Sequence, residues 1–285
     1  MSTKNPSPIL KWAGGKRKLT GDILSRMPSK IKTYYEPFIG GGAVFFELAH
    51  NNRFEHAIIG DCNAELINVY KVTRDNVELL IQELNGGGYQ YEKTSYLKIR
   101  AILPSMISLV ERAARFIFLN KTGFNGLYRV NKSGQFNVPF GKYTNPTICD
   151  EVNLRAVSKV LQGVEMINHD FESIISIATE GDAVYLDPPY IPLSKTSNFT
   201  SYNSDGFNEN DHRRLAESFD KLIERKVCCV LSNSYTPLTL ELYGKHDVFE
   251  LIGARSIGGP ATSRVSVKEV LISKRKMIDR SPQET

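Results

Sequence analysis

Cysteine is scarce and unpatterned in this chain. Cys62, Cys149, Cys228 and Cys229 are the only four among 285 residues. None shows CxxC spacing and the adjacent pair is poorly placed to bridge, which excludes a disulfide framework and a zinc ribbon and reads as buried reduced thiols. No apolar run approaches the roughly 18 residues that a membrane-spanning helix needs, and Met1 to Pro8 is polar and proline-broken where a signal peptide would be apolar. The expected location is the cytoplasm, with no membrane partner. HExxH and GxSxG are both missing, and His50, His56, His169, His212 and His246 are scattered without ligand spacing. No metal site and no hydrolase triad is therefore expected.

What is present has an ordinary globular balance, 41% hydrophobic and 24% charged, and a length suited to one large domain or a domain carrying an insertion. Thr33 to Ile39 reads as a buried strand, Gly40-Gly41-Gly42 as a tight turn, Ala43 to Ala49 as a helix start and His56 to Gly60 as a second strand. From about Ala64 to Leu161 the strand pattern is lost. Helices are expected over Ala64 to Leu84, Ser95 to Leu103 and Ser105 to Asn120, followed by a basic loop. Short apolar strands resume at Val164 to Asn168, Ala183 to Leu186, Val227 to Leu231, Val248 to Ile252 and Val267 to Ile272, with a helix over Asn208 to Arg225. Strands alternating with helices imply an α/β fold with a mostly parallel, doubly wound sheet. The implied organisation is a discontinuous domain, 1–67 and 161–285, around a helical insertion at 68–160. The tail from about Asp279 reads as disordered.

Acidic residues are missing from one long window. Between Arg112 and Cys149 there is no Asp or Glu, whereas Arg112, Arg115, Lys121, Arg129, Lys132 and Lys142 supply six positive charges, more than the net +5 of the whole chain. Seven aromatics (Phe116, Phe118, Phe124, Tyr128, Phe136, Phe140, Tyr143) and five asparagines (Asn120, Asn125, Asn131, Asn137, Asn145) are interleaved with them. Cations suit phosphates, amides and guanidinium suit base edges, and flat rings stack or wedge, so Lys121 to Tyr143 reads as a nucleic-acid surface. Phe116 and Phe118, inside the helical stretch, read instead as core. Arg129 is the only arginine from Lys121 to Tyr143. Its guanidinium can grip guanine O6 and N7 together, where a lysine acts as a point charge for phosphate.

Three further motifs carry chemistry. A glycine cluster after the first strand, with an acid 21 residues on at the end of the second, is how open α/β sheets hold a nucleoside. Phe45 stands where a dinucleotide fingerprint would have its third glycine, so a nucleoside without a long phosphate chain fits better; a simple turn with an incidental Asp61 is the plain alternative. Lys11-Trp12-Ala13-Gly14-Gly15-Lys16 is no phosphate loop, because Leu10 and Arg17 replace the required glycine and Ser/Thr. Trp12 could flank a flat ligand or merely pack. Asp187-Pro188-Pro189-Tyr190 follows a strand directly and sets a carboxylate at its C-terminal edge. The prolines donate no N–H, so the Asp187 and Pro188 carbonyls remain acceptors beside a stacking ring, complementary to an exocyclic amine on a planar base. Asp-Pro-Pro is also a generic turn opener.

In content and order these motifs resemble those of the Dam-like DNA adenine-N6 methyltransferases, especially the Dam and DpnM branch, over nearly the whole chain. Lys11 to Lys16 matches the family's N-terminal element, and Glu36-Pro37-Phe38-Ile39-Gly40-Gly41-Gly42 its S-adenosylmethionine loop. Asp61 matches its ribose-binding acid, Asp170-Phe171 its cofactor-adenine motif and Asp187 to Tyr190 its catalytic tetrapeptide. Phe124 to Arg129 and Gln135 to Tyr143 look like its GATC-reading segment. The resemblance implies a Rossmann-like S-adenosylmethionine-dependent methyltransferase acting with base flipping on adenine N6 in double-stranded DNA, with GATC as the site by the family's habit. Asp187, Pro188, Pro189 and Tyr190 would be catalytic. Trp12, Lys16, Pro37, Phe38, Gly40, Gly42, Asp61, Asp170, Phe171 and Asp187 would meet the cofactor. Lys11, Phe124, Asn125, Leu127, Arg129 and Pro139 would face bases, and Lys121, Asn131, Asn137 and Lys142 phosphates. Some relatives carry Tyr where Phe124 stands, so a hydroxyl contact is lost here while a wedging ring is kept. A monomer is expected, with a cognate restriction endonuclease as a conceivable partner in the host. The rival readings are N4-cytosine or RNA-adenine methylation and a catalytically silent DNA-binding protein.

Overall fold

The computed structural model describes residues 5–86, 88–192, 207–255 and 267–274, and the tail from Asp279 lies outside them. The chain divides into two compact units, Met1–Ile177 and Ala178–Thr285. Both combine buried strands with covering helices, so the α/β class expected from the sequence is what the structure shows.

In the first unit β1 (Ile31–Glu36), β2 (Phe54–Gly60) and β3 (Glu165–Ile167) are parallel, in the order β3-β2-β1, with Thr33 opposite His56 and Ile59 opposite Met166. Two short helices, α1 (Thr20–Leu24) and α2 (Ala43–His50), flank β1 in sequence. The stretch after β2 is helical, but not as one rod. Asn63 caps α3 (Ala64–Asp75), accepting from the Glu65 and Leu66 amides, and the chain breaks at Asn76 before α4 (Val77–Gly86). The sequence pattern suggested one helix because the apolar period continues across Asn76, whose backbone is not helical (φ −138, ψ 38). Next comes α5 (Lys93–Ala101). A reciprocal Ser108–Glu111 capping box then sets the start of α6 (Leu109–Thr122), four residues later than the expected Ser105, because Pro104–Met106 forms a separate 3-10 turn. α7 (Glu151–Val160) and α8 (Phe171–Ile175) complete the unit. α3 and α4 pack on α6, and α7 packs on α3. The helices of the expected insertion thus belong to the same compact unit as β1 to β3.

Phe118 and Leu119 of α6 join Tyr96, Ile99, Phe136 and Val138 in a buried cluster, with Leu127, Tyr128 and Phe140 packed against it. This cluster fixes the aromatic segment after α6 to the helices. Full burial of a residue such as Phe118 is worth about 1.5–3 kcal/mol, and Phe116 and Phe118 are core residues, as read from the sequence.

In the second unit β4 (Ala183–Leu186) runs parallel to β5 (Cys228–Ser234), while β7 (Val267–Ser273) is antiparallel to both β5 and β6 (Asp247–Arg255). All four β4 residues are buried, as expected of a strand covered on both faces. α9 (Glu209–Glu224) starts at an Asn208–Asp211 capping box and packs on β5; α10 (Pro237–Tyr243) follows β5. Among the cysteines only Cys229 is buried; Cys62 is exposed, contrary to the expectation for all four, because it follows the strand end in a turn.

His212, on α9, is 3% exposed, its Nδ1 has no hydrogen-bond partner among the described residues, and burial pushes its pKa down to about 4 against the opposing pull of Asp211 and Glu209. The unfolded chain takes up this proton near pH 6.5, so the native state is unpenalised above that value and loses stability as pH falls towards 4. By pH 5 the loss amounts to about 2 kcal/mol. Urea unfolding at pH 7 and pH 5 should show His212→Gln losing about 2 kcal/mol less than the parent over that interval. Equal losses would contradict this account of His212.

Candidate active site and nucleic-acid interface

β1 ends at Glu36, and the loop that follows is glycine-rich because other parts of the unit press on it. Gly40 adopts φ +45, and a Cβ there would lie 2.6 Å from Trp12 Cδ1 and 2.8 Å from Trp12 Nε1. Gly42 adopts φ +72, and its Cβ would stand 3.0 Å from the Tyr70 hydroxyl. The loop is tied by Ile39 N–H to the Gly60 carbonyl (2.8 Å) and by the Tyr70 hydroxyl to the Gly40 carbonyl (2.9 Å). Asp61, directly after β2, accepts from Asn63 N–H at 2.9 Å and from Gly40 N–H at 3.3 Å. The residue keeps partial access to solvent, yet enough protein surrounds it that desolvation outweighs these bonds and raises its carboxyl pKa to about 6. Asn168 donates to the Asp61 and Cys62 carbonyls at 2.9 and 3.0 Å, pinning the turn from behind.

The other residues assigned to the cofactor surround this loop in part. Phe38 stacks on Phe171 with ring centroids 5.6 Å apart, and Asp170 caps α8 by accepting from the Glu172 amide at 3.0 Å. Pro37 is buried. Lys16 is buried, and its ammonium donates to the Gly14 carbonyl at 2.7 Å. Trp12, Gly40 and Asp61 form one chain of contacts; Phe38 and Phe171 form a second.

The segment after α6 turns back on itself. Bridges join Gly123 to Phe140 and Val130 to Phe136, and the Asn125-Gly126 pair takes left-handed conformations (φ 54 and 63), the backbone that Asn-Gly accepts at low cost. Phe124 is 48% exposed, and Asn125 and Pro139 are exposed beside it. Leu127 is half-buried. Arg129, also half-buried, donates from Nε to Asn137 Oδ1 at 2.7 Å, and the Asn131 side chain accepts from the Ser133 and Gln135 amides at 3.0 and 2.9 Å. Both asparagines therefore help build the segment itself. Lys142 and Lys132 are exposed and Lys121 is half-buried.

Not every cation of the acid-free window faces outwards. Arg112 pairs with Glu65. Arg115 is 6% exposed, with its guanidinium on the Ile99 and Arg100 carbonyls at 3.0 Å each. The positive surface is thus narrower than the sequence suggested.

One residue that the sequence reading counted only among the window's asparagines joins the glycine loop's neighbour to this segment. Asn120, 1% exposed, accepts from Lys11 N–H (2.8 Å) and donates to the Lys11 carbonyl (2.7 Å) and the Gly126 carbonyl (2.9 Å). Composition counted it among amides for base edges, but it is a buried tie. The Lys11 ammonium donates to the Lys121 carbonyl at 3.1 Å and lies 3.5 Å above the Tyr143 ring, with its pKa lowered by burial. Next to it, the Trp12 indole stacks with Phe116 and Tyr128, each at 6.4 Å.

In the second unit Asp187 stands at the end of β4. Ser232 Oγ donates to Asp187 Oδ1 at 2.8 Å, and the Tyr185 hydroxyl is 2.9 Å from Ser232 Oγ. Pro188 is buried and Pro189 exposed. The Tyr190 hydroxyl donates to Glu269 at 3.4 Å, and the Ile191 N–H donates to Asn233 Oδ1 at 3.0 Å, which anchors the turn's far end. Ser232, Asn233 and Glu269 were not singled out in the sequence. The available signal was the polar run Ser232-Asn233-Ser234 closing an apolar strand. Among the described residues no cluster of three His, Cys, Asp or Glu side chains could hold a metal ion, and no helix is long and apolar enough to cross a membrane.

The structure thus presents a glycine loop held against Asp61, an Asp-Pro-Pro-Tyr turn at a strand end and an aromatic hairpin that carries cations. Residues 12–257 match the family described as D12 class N6 adenine-specific DNA methyltransferase. The type II methyltransferase M1.LlaDCHI of Lactococcus lactis subsp. cremoris is 42% identical over 94% of this chain and 95% of its own. The type II methyltransferase M.MjaIII of Methanocaldococcus jannaschii is 44% identical over 84% and 86%. The DNA adenine methylase of Escherichia coli K12 is 34% identical over 94% and 95%. The chain belongs to the D12 class of N6 adenine-specific DNA methyltransferases, and its substrate is DNA.

The Trp12–Gly40 contact has a measurable consequence. Gly40→Ala adds both left-handed strain and an overlap with the indole, and should lower the urea-unfolding free energy by about 2 kcal/mol or more. Gly41→Ala, whose Cβ would sit at a tight 3.2 Å from Trp12 Cβ without the overlap met at Gly40, and whose φ is not positive, should cost clearly less. Equal costs would mean that the indole does not constrain the loop.

Proposed function

We propose that the chain transfers a methyl group from S-adenosylmethionine to adenine N6 within GATC sites of double-stranded DNA, with the target base flipped out of the helix. The observation that carries this reading is the Asp187 carboxylate, fixed at the end of β4 by Ser232 and followed by Pro188, Pro189 and Tyr190. Residues 1–67 and 161–285 serve as the catalytic domain and 68–160 as the recognition insertion.

The residues present fit the donor. A carboxylate at Asp61 suits ribose hydroxyls, the Phe38–Phe171 ring pair suits adenine, and the glycine loop of Gly40 and Gly42 admits close backbone approach. Trp12, Lys16, Pro37 and Asp170 are assigned to the same donor, as is Asp187, by the family resemblance. When bound, S-adenosylmethionine supplies an electrophilic methyl group on a sulfonium sulfur. Asp187 and the Pro188 carbonyl accept the two N–H bonds of the target amine. Those acceptors favour a pyramidal nitrogen whose lone pair is available, and they stabilise the positive charge that develops on it. Tyr190 stacks on the flipped base, and Pro189 stiffens the turn. Flipping costs a few kcal/mol, which contacts from the recognition segment offset. Phe124, exposed and apolar, fills the gap; Lys11, Asn125, Leu127, Arg129 and Pro139 face bases; Lys121, Asn131, Asn137 and Lys142 face phosphates. Relatives named type II methyltransferases and relatives named DNA adenine methylases both align along most of the chain, so the proposal concerns the chemistry of the mark rather than its cellular use.

Unmethylated DNA incubated with the protein and labelled S-adenosylmethionine should become resistant to an endonuclease blocked by GATC methylation and sensitive to one that requires it. Label incorporated without either change would overturn the GATC assignment. Replacing Arg129 by alanine should cost about 1–3 kcal/mol of discrimination at one base of the site, while Lys142→Ala should weaken all duplexes alike and reduce the salt slope by about one. Binding to GATC and singly substituted duplexes across a salt series measures both. Uniform weakening by Arg129→Ala would place it on the backbone instead.

A further inference from the structure

We infer that Ser232 and Tyr185 are positioning residues for methyl transfer, forming a one-way hydrogen-bond chain that orients the Asp187 carboxylate. This rests on the reading that Asp187 accepts the target amine.

The direction of the chain follows from proton counting. Ser232 Oγ lies 2.8 Å from Asp187 Oδ1 and 2.9 Å from the Tyr185 hydroxyl. An ionised carboxylate only accepts, so the single serine proton goes to Asp187. The serine oxygen is then left with lone pairs, and the Tyr185 hydroxyl must be the donor to it. The order is Tyr185 to Ser232 to Asp187, with no alternative arrangement of the serine proton that keeps both contacts.

Position and burial make this arrangement costly to build without a use. Tyr185 is the third residue of β4 and is 1% exposed; Ser232 lies on β5 and is wholly buried. Leu186 pairs with Leu231 across the two parallel strands, so Ser232 follows within β5, level with Asp187 just past the end of β4. A buried hydroxyl that lost its partner would be penalised for its lost hydration, whereas apolar residues would pack the same positions with no such requirement. The polar pair instead fixes the plane of a carboxylate whose angle to the reacting amine decides whether the nitrogen lone pair is exposed. The same strand continues into Asn233, which holds the Ile191 amide beyond Tyr190 at 3.0 Å. The turn is therefore gripped at both ends by consecutive residues of β5.

The test is single-turnover methyl transfer at saturating S-adenosylmethionine and unmethylated GATC duplex. Ser232→Ala should slow the step about 10- to 100-fold, the scale of a small misplacement of a reacting group. Tyr185→Phe should slow it about 3- to 10-fold, as expected for one lost neutral hydrogen bond. Affinities for cofactor and duplex should stay within about twofold of the parent if only geometry at the amine is lost. Because Tyr185 acts through Ser232, the double variant should react at the rate of Ser232→Ala alone. A Ser232→Ala rate within about twofold of the parent, or independent and multiplying effects in the double variant, would overturn the inference. Thermal unfolding of each variant separates misfolding from misplacement, and Tyr185→Phe keeps the test alive should Ser232→Ala fold poorly. Asp187→Asn distinguishes the two levels of the argument. Parental activity in that variant would defeat the reading of Asp187 itself, whereas an inactive Asp187→Asn beside a fully active Ser232→Ala would defeat only the positioning role.

Discussion

The contact of Trp12 with Gly40 is the constraint around which the first unit is arranged. An indole lying within 3 Å of where a Cβ would be leaves glycine as the only tolerable residue, and the left-handed backbone at that point then turns the chain from β1 towards α2. The same ring stacks with Phe116 and Tyr128, and so reaches α6 and the hairpin beyond it. One residue earlier, Lys11 is held at both its amide and its carbonyl by Asn120, which also holds Gly126 at the hairpin's tight turn. A short N-terminal strap therefore touches the nucleoside-suited loop with one residue and the aromatic hairpin with its neighbour. Asn120 satisfies three backbone groups at once, so its removal would leave buried donors and acceptors unpaired in the strap and the turn together.

On the proposed reading the second unit solves a different problem, that of presenting acceptors to an amine. Two prolines remove N–H groups from the turn, and the buried Ser232 hydroxyl on β5, itself in contact with the Tyr185 hydroxyl on β4, donates to the carboxylate from behind. An exocyclic amine conjugated with its ring is a poor nucleophile until its hydrogens are drawn out of the ring plane. Fixed acceptors accomplish that without a covalent enzyme intermediate. Oriented dipoles of this kind need no reorganisation as charge develops.

Much of this was legible in the sequence. Ala183–Leu186 coincides with β4 because a four-residue β-branched and aromatic run bounded by Asp182 and Asp187 has few other readings, and Asn208 marks α9 because its side chain reaches the first free amides. The spacing of the glycine loop and Asp61 pointed to both, but left a simple turn with an incidental acid open; their direct contact is a tertiary fact. What stayed hidden depends on tertiary partners. Short helices such as α1, α8 and α10 have too few turns to show a period, and α7, although amphipathic, lay in a stretch whose basic loop masked it. Asn120 looked like a surface amide because nothing local reveals that its side chain is walled in by residues more than 100 positions earlier in the chain. The charge window overstated the positive face for the same reason: Glu65 neutralises Arg112 from a distant helix, and Arg115 spends its guanidinium on backbone carbonyls. Ser232 was passed over because its polar neighbours read as the end of a strand rather than as its purpose.

Trp12 is the sole tryptophan, so intrinsic fluorescence reports directly on the strap that joins the loop to the hairpin. The most direct measurement is a pair of emission titrations, one with S-adenosylmethionine and one with an unmethylated GATC duplex. A strap touching both sites predicts that each ligand alone changes the Trp12 emission, and that the GATC duplex does so at lower concentration than a duplex without the site. An indole that responds to only one ligand, or to neither despite saturation shown by an independent binding assay, would contradict that shared connection.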